Sequence, residues 1–278
     1  MKKLTQQVLS THKEAGRKWL NELPALVQIL VEQWHLINLR ECQNMSWNYV
    51  AMGAQSDREV VLKLSCDISA LENEVAALKV FSTDACVEVI SVDLARGAVL
   101  LEKAKPGIDL MSFEVNDRYR ALGICCDMAQ RIQRGQNPST HSFKSVRELF
   151  ENLEKEWNIS ERMLLMARRF RKELLSGFHE THVIHGDLHR GNILSHGTEW
   201  RVIDPKGFVG TLYNEIWPFV HDPGVELPWI ASRIDLDEGQ LIKWSFMHAM
   251  LATTWCIEDG IDPKDVFGLA EQIFDLVK

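Results

Sequence analysis

No apolar run in the 278-residue chain approaches the ~20 residues that a bilayer-spanning helix needs. The N-terminal stretch MKKLTQQVLSTHKEAG carries lysines but no apolar core of the secretory kind, so export is not expected. Six scattered cysteines (42, 66, 86, 125, 126, 256) form no C-x-x-C pair. They read as reduced, mostly buried thiols of a cytoplasmic protein. A basic excess is also missing. Thirty-one Lys and Arg face 39 Asp and Glu, a net charge of −8, which argues against a nucleic-acid binder and suits a cationic small molecule. No internal repeat or low-complexity segment occurs.

What remains is an ordinary globular composition, 46% apolar and 25% charged, long enough for one large domain or two lobes. Residues 4–34 have helical spacing, with Pro24 read as the first-turn proline of a second helix. SWNYVAMGAQSDREVVLKL (46–64) gives two β-rich runs, roughly 47–52 and 58–64, around a polar turn. ISALENEVAALKVF (68–81) returns to helical spacing, and CVEVISVDLARGAVLLEKA (86–104) supplies two more strands around Arg96-Gly97. After Lys105-Pro106-Gly107 the pattern turns helical. A long helix is expected at 111–134, a polar loop at 135–142, amphipathic helices at 145–158 and 161–182, a short strand pair at 198–210 and a helical tail. The chain thus divides into a β-rich unit of residues 1–104 and a larger, mostly helical unit of residues 105–278.

The most informative stretch is THVIHGDLHRGNIL (181–194). Its histidines 182, 185 and 189, with His179-Glu180-Thr181-His182, superficially suggest zinc. The helical H-E-x-x-H arrangement needs imidazoles four residues apart, however, and these are three apart in strand-like surroundings. Structural or solvated histidines are the simpler reading for 179, 182 and 196.

The alternative follows from oxygen ligands. An apolar strand leads to His185-Gly186-Asp187, Asn192 follows five residues on, and Asp204 comes ten residues after Leu194, behind Val202-Ile203. Phosphoryl transfer to an alcohol needs a carboxylate to orient the hydroxyl and take its proton, and hard oxygen ligands for Mg²⁺ on the nucleotide phosphates. Asp187 suits the first task, Asn192 and Asp204 the second. Lys63, inside the apolar run Val60-Val61-Leu62-Lys63-Leu64, suits a phosphate-holding strand lysine, and Glu72 and Glu74 on the next helix are candidates for its partner.

On these residues the chain resembles the aminoglycoside phosphotransferase superfamily, which shares the protein-kinase-like fold. It is most similar to the aminoglycoside/hydroxyurea kinases that include streptomycin 6-phosphotransferases. The matching segments are EAGRKWLNELPALV (14–27), MSWNYVA (45–51), VVLKL (60–64), ARGAVLLEKAKPG (95–107), VIHGDLHRGNIL (183–194) and VIDPKGFVG (202–210). The resemblance implies an α+β bilobal fold with a β-rich N-lobe and a larger helical C-lobe. It also implies an ATP- and Mg²⁺-dependent transferase of the antibiotic-resistance type. Asp187 would be the catalytic base, Asn192 and Asp204 the metal ligands, Lys63 the phosphate lysine and Glu74 its partner.

Ser46 to Tyr49 would form the turn over the nucleotide, and Glu102, Lys103 and Ala104 the link whose backbone grips adenine. Glu258, Asp259 and Asp262 would be candidates for a cationic acceptor, and Glu215 an anchor for the loop. Two departures from protein kinases stand out. Gly186 replaces the arginine that reads a phosphorylated loop, and Asp204 is followed by Pro-Lys-Gly with no long activation segment, so no phosphorylation switch is expected. A G-x-G-x-x-G loop is absent as well. Within the same fold a kinase of a housekeeping metabolite alcohol is the second reading, and a catalytically silent nucleotide-binding protein is a third, from a different class.

Overall fold

A computed structural model describes residues 1–277 except 44, 114–116, 135, 137, 138 and 140. The first helix, α1 (Lys2–Gln33), bends sharply at Lys13, whose φ of 49° and ψ of −120° leave the helical region. Pro24 lies inside the helix after the bend and starts no new one. Gly16 gives the reason: a Cβ there would stand 2.6 Å from the Val8 carbonyl oxygen, so glycine lets the two halves approach. Leu4 and Val8 on one half, Leu23 and Leu30 on the other, then bury against the same core.

Next come β1 (Leu36–Glu41), absent from the sequence reading, β2 (Asn48–Gln55) and β3 (Arg58–Ser65). Helix α2 (Ile68–Val80), β4 (Val89–Asp93) and β5 (Ala98–Glu102) complete a five-stranded antiparallel sheet in the order β1-β2-β3-β5-β4. Strand β3 is central, flanked by β2 and β5, which is why its sequence is a continuous apolar run and not an alternation. Lys63 is therefore forced indoors. Helix α2 starts on Asp67, whose Oδ1 accepts a 2.9 Å bond from the Ala70 amide. Leu71, Glu74, Val75 and Leu78 share its buried face at spacings of three and four, whereas Glu72 faces solvent.

Beyond the link lie β6 (Pro106–Asp109), a 3₁₀ turn at Leu110–Phe113 and α3 (Arg118–Gln133). The helix expected from 111 thus begins at Arg118, and 114–116 fall outside the described residues, as do four residues of the polar loop. The amphipathic stretch from 145 is mostly irregular. It holds β7 (Lys144–Ser145), the one-turn α4 (Val146–Leu149) and a 3₁₀ segment before α5 (Glu161–Leu175).

Strands β8 (His182–Ile184), β9 (Ile193–His196), β10 (Glu199–Val202) and β11 (Phe208–Gly210) carry the quoted motifs. The strands foreseen at 198–210 exist but do not pair with each other: β10 pairs with β9, and β11 with β8 and β7. Helices α6 (Pro223–Ile234), α7 (Glu238–Glu258) and α8 (Lys264–Leu276) close the chain. Most residues from Leu241 to Thr254 of α7 are buried, so α7 is the axis of the helical part. This is the bilobal α+β kinase-like fold expected above.

All six cysteines are unpaired thiols; three are buried and three half-buried, fewer than expected. No helix among the described residues is long and apolar enough to cross a membrane.

Candidate active site

The β9–β10 hairpin brings Asn192 and Asp204 together. Ile193 pairs with Val202 across a two-residue turn at Gly197-Thr198, so the residues flanking the hairpin meet at its open end. There the Ile203 amide donates to the Asn192 carbonyl at 3.0 Å. The Asn192 side-chain amide donates to the Asp187 carbonyl at 3.0 Å, which fixes the asparagine and leaves its oxygen as an acceptor.

His185 joins this loop to the Asp204 segment and is fully buried. Its Nε2 donates to the Ile203 carbonyl at 2.8 Å, and its Nδ1 accepts from the Asp187 amide at 3.3 Å. Its own carbonyl accepts from the amides of Lys206 (2.8 Å) and Gly207 (3.2 Å). Burial pushes this imidazole down to about 4, so it is neutral, as a histidine accepting at one nitrogen and donating at the other must be. Beneath the loop lies Glu215, also fully buried. Its Oε1 accepts from the His185 amide and its Oε2 from the Gly186 amide at 3.2 Å. Burial pushes this carboxyl up to about 7. Gly186 has a φ of 76°, and a Cβ there would sit 2.6 Å from the Phe208 ring, so only glycine fits before Asp187.

Lys63 is 3% exposed and held between two carboxylates. Its ammonium donates to Glu74 Oε1 and Oε2 at 2.8 and 2.6 Å and to Asp204 Oδ1 at 2.9 Å. Burial acts to lower the lysine's affinity for its proton, but the Asp204 and Glu74 carboxylates outweigh it and hold it above its ordinary value. Burial likewise pushes Asp204 up, and Lys63 more than offsets it, keeping that carboxyl below its usual range. Asp204 itself sits in the left-handed region (φ 59°), a strained backbone for a non-glycine, held by these contacts. The Asp187 carboxylate accepts no hydrogen bond from any described residue, and burial raises its proton affinity while His189 and Lys206 oppose that.

A cavity of about 500 Å³ opens over this cluster, lined by Ser46, Trp47, Lys63, Glu74, Asp204 and Lys206 among others. Asp187 and Asn192 do not line it but adjoin its Asp204 edge through His185 and Ile203. Glu102 pairs outward with Arg58 at 3.5 Å, and Ala104 is buried in the link. Glu59 braces that link, receiving Lys103 at 2.8 Å and Lys105 at 2.7 Å, and these hydrogen bonds hold its carboxyl down to about 2. The three tail carboxylates are exposed at the far end of α7. Glu258 is bound by Lys155 at 2.8 Å, Asp262 caps the Lys264 amide at 3.0 Å, and none lines the cavity.

Two residues escaped the sequence reading. Asn73, beside Glu74, donates its amide to the carbonyls of Lys206 and Gly207, the latter at 2.7 Å, and so fastens α2 to the Asp204 segment. His141 in turn contacts Asn73 Oδ1 at 2.8 Å. Lys206 was legible as part of DPKG but had been given no task. Among the described residues, no three His, Cys, Asp or Glu side chains gather as a metal site; His182 Nδ1 instead contacts its neighbour Thr181.

Two buried histidines make a stability prediction. His248, stacked on Trp217, is pushed down to about 3 by burial, and His185 to about 4. Both stay neutral in the fold while the unfolded chain takes up protons below about 6.5, so their contribution is present above that pH and lost as pH falls. Glu215 acts oppositely between about 7 and 4.5, because the folded state holds its proton longer. The Asn214 side-chain amide lies 3.2 Å from His248 Nε2; His248→Gln keeps an acceptor there and is expected to flatten the acid limb by about 1.4 kcal/mol per pH unit, one proton's worth. Urea unfolding of parent and variant at pH 6.5 and 5 measures it; equal slopes would remove His248 from this role.

The family model described as aminoglycoside/hydroxyurea antibiotic resistance kinase matches residues 34–260. The chain is similar to the streptomycin 6-kinase of Streptomyces griseus, 25% identical over 89% of this chain and 87% of that one. It is also similar to the hydroxyurea phosphotransferase of Kitasatospora aureofaciens, 24% identical over 88% and 76%. Among solved structures, a thermostable mutant of aminoglycoside phosphotransferase APH(4)-Ia, in ternary complex with ADP and hygromycin B, superposes with a TM-score of 0.69 at 12% identity, covering 90% of this chain and 96% of that one. Choline kinase LicA from Streptococcus pneumoniae gives 0.64 at 13% identity, covering 91% and 98%, which speaks to fold alone. With the family model spanning most of its length, the chain belongs to the aminoglycoside/hydroxyurea antibiotic resistance kinase family and is a phosphotransferase acting on hydroxyl groups.

Proposed function

We propose that the chain transfers the γ-phosphoryl group of ATP, with Mg²⁺, to a hydroxyl of a small cationic acceptor, an aminoglycoside such as streptomycin. The observation carrying this reading is the single hydrogen-bonded cluster of Asp187, Asn192, Asp204 and Lys63 beside a cavity of phosphate-accommodating size. Asp187 orients the acceptor hydroxyl and receives its proton. The hydroxyl oxygen forms its bond to the γ-phosphorus as the bond to the β,γ-bridging oxygen breaks, and that electron pair leaves on ADP. Lys63, set by Glu74, holds the nonreacting phosphates, and Ser46 and its neighbours cover them.

The donor set suits magnesium. The Asn192 amide oxygen and the Asp204 oxygen not taken by Lys63 are hard ligands, and Mg²⁺ ordinarily takes one or two carboxylates and completes its shell with phosphates and water. When bound, the ion neutralises charge on the phosphates. Glu102 to Ala104 grip the adenine through their backbone, and the lobes divide between Ala104 and Lys105. Catalysis is then positioning and charge compensation, with α2 fastened in place by Asn73 and no phosphorylation switch.

One observation favours a second acceptor class. Glu258 and Asp262 are engaged elsewhere, so the acceptor side is less anionic than a polycation calls for, and an uncharged or singly charged metabolite alcohol fits that better. The test is ATP consumption with Mg²⁺ across streptomycin, other aminoglycosides, hydroxyurea and simple sugar and amino alcohols. Mass spectrometry would follow the gain of about 80 Da from HPO₃. Phosphorylated streptomycin at low KM supports the first acceptor, and turnover confined to another alcohol supports the second. No turnover with any of them overturns the reading.

A further inference from the structure

Resting on that reading, we infer that Lys206 is the cation that meets the transferring phosphoryl group, a catalytic residue additional to Lys63. Charge accounting around the cavity leads there. Lys63 and Lys206 are the lysines of its lining, which contains no arginine. Lys63 is assigned to the nonreacting phosphates, and its buried ammonium is also shared between Glu74 and Asp204, so it is not placed for the transferring group. Lys206 is exposed to the cavity, and no described carboxylate lies within ion-pair distance of it.

An uncommitted lysine in a site with Glu74, Asp187 and Asp204 is not a solvated bystander. It lines the cavity beside Glu74 and Asp204, where the nucleotide phosphates belong, and its side chain starts next to Gly186, the neighbour of Asp187, where the acceptor oxygen belongs. The γ-phosphoryl group lies between those two by the definition of an in-line transfer.

The backbone of Lys206 is pinned in a way a surface lysine would not need. Its amide donates to the His185 carbonyl at 2.8 Å and its carbonyl accepts from the Asn73 amide. Next to it, Gly207 has a φ of 69°, and a Cβ there would meet the Asn73 amide nitrogen at 2.9 Å and the Ala77 Cβ at 3.1 Å. Its stem runs beside Gly186, since a Cβ on that glycine would lie 3.5 Å from the Lys206 Cβ. The root of the side chain is fixed by both lobes, while the flexible stem carries the charge. This arrangement suits a group whose partner arrives with the substrate. In the transfer, charge spreads over the equatorial oxygens of the γ-phosphorus, and a fixed cation there stabilises the transition state more than the ground state.

The experiment compares parent, Lys206→Ala and Lys206→Arg. Steady-state kinetics is expected to show kcat down about 100-fold for alanine, with the acceptor KM unchanged and at least a tenth of the activity kept by arginine. Ethylammonium should restore part of the alanine variant's kcat. Calorimetry with Mg²⁺ should show AMP-PNP bound about tenfold more weakly by Lys206→Ala, with ADP affinity unchanged, because only the former presents a γ-phosphoryl group. A kcat within about threefold of the parent, or equal weakening of ADP and AMP-PNP, would overturn the inference. An inactive parent would sink the phosphotransferase assay itself, and the AMP-PNP to ADP contrast would still decide Lys206.

Discussion

Asp187→Ala is expected to lower kcat by at least about a thousandfold while leaving thermal stability and nucleotide affinity nearly unchanged. The asymmetry comes from how the residue is held. Its backbone carbonyl and amide organise the loop, through Asn192 and His185, and both survive the substitution. Its carboxylate accepts no hydrogen bond from any described residue and stands partly desolvated, so removing it breaks no native contact and relieves a burial cost. A group so placed contributes to chemistry and little to folding. The measurement is kcat together with the melting temperature and the calorimetric affinity for ADP. Residual turnover above a tenth of the parent's, with the fold intact, would take Asp187 out of the base role.

Lys63→Met should have the opposite profile, with large losses of both stability and nucleotide binding. Methionine fits the apolar slot between β2 and β5, but it leaves Glu74 buried beside Asp204 with no cation between them. Breaking a buried pair from one side costs about 3–5 kcal/mol, mostly the penalty of the stranded charge. The double variant Lys63→Met/Glu74→Leu removes that charge as well and is expected to recover most of the stability while staying inactive. Urea unfolding and ADP calorimetry on the single and double variants separate the two effects. If the double variant is as unstable as Lys63→Met, the pair is not the source of the loss. If it binds ADP like the parent, Lys63 has no phosphate role.

Much of this was legible in sequence because the constraints are local. A lysine inside VVLKL reads as a strand residue in need of a partner, the resemblance favours Glu74 over Glu72, and the fold puts Glu74 on the buried face of α2 and Glu72 in water. The spacing from Asp187 to Asn192 and across a hairpin to Asp204 is a property of one short piece of chain. The bend in α1 was misassigned to Pro24 because proline is a local signal. The bend lies at Lys13, where the close approach of Gly16 to Val8 lets both halves pack into one core.

By itself, then, the sequence determined the strand that carries Lys63, the helix after it and the Asp187 loop through short-range periodicity and spacing, and the resemblance of these motifs pointed to the family. Only the tertiary structure decided that Asn73 fastens α2 to the Asp204 segment, that Glu215 carries the His185 and Gly186 amides, and that the Lys206 ammonium has no carboxylate within ion-pair distance among the described residues. It also decided that Glu258 is spent on Lys155. Each of these depends on which buried donor, acceptor or charge finds a counterpart from a distant segment. Hydrogen bonds and ion pairs act over a few ångströms of space whatever the separation in sequence, so residue spacing along the chain could not reveal them.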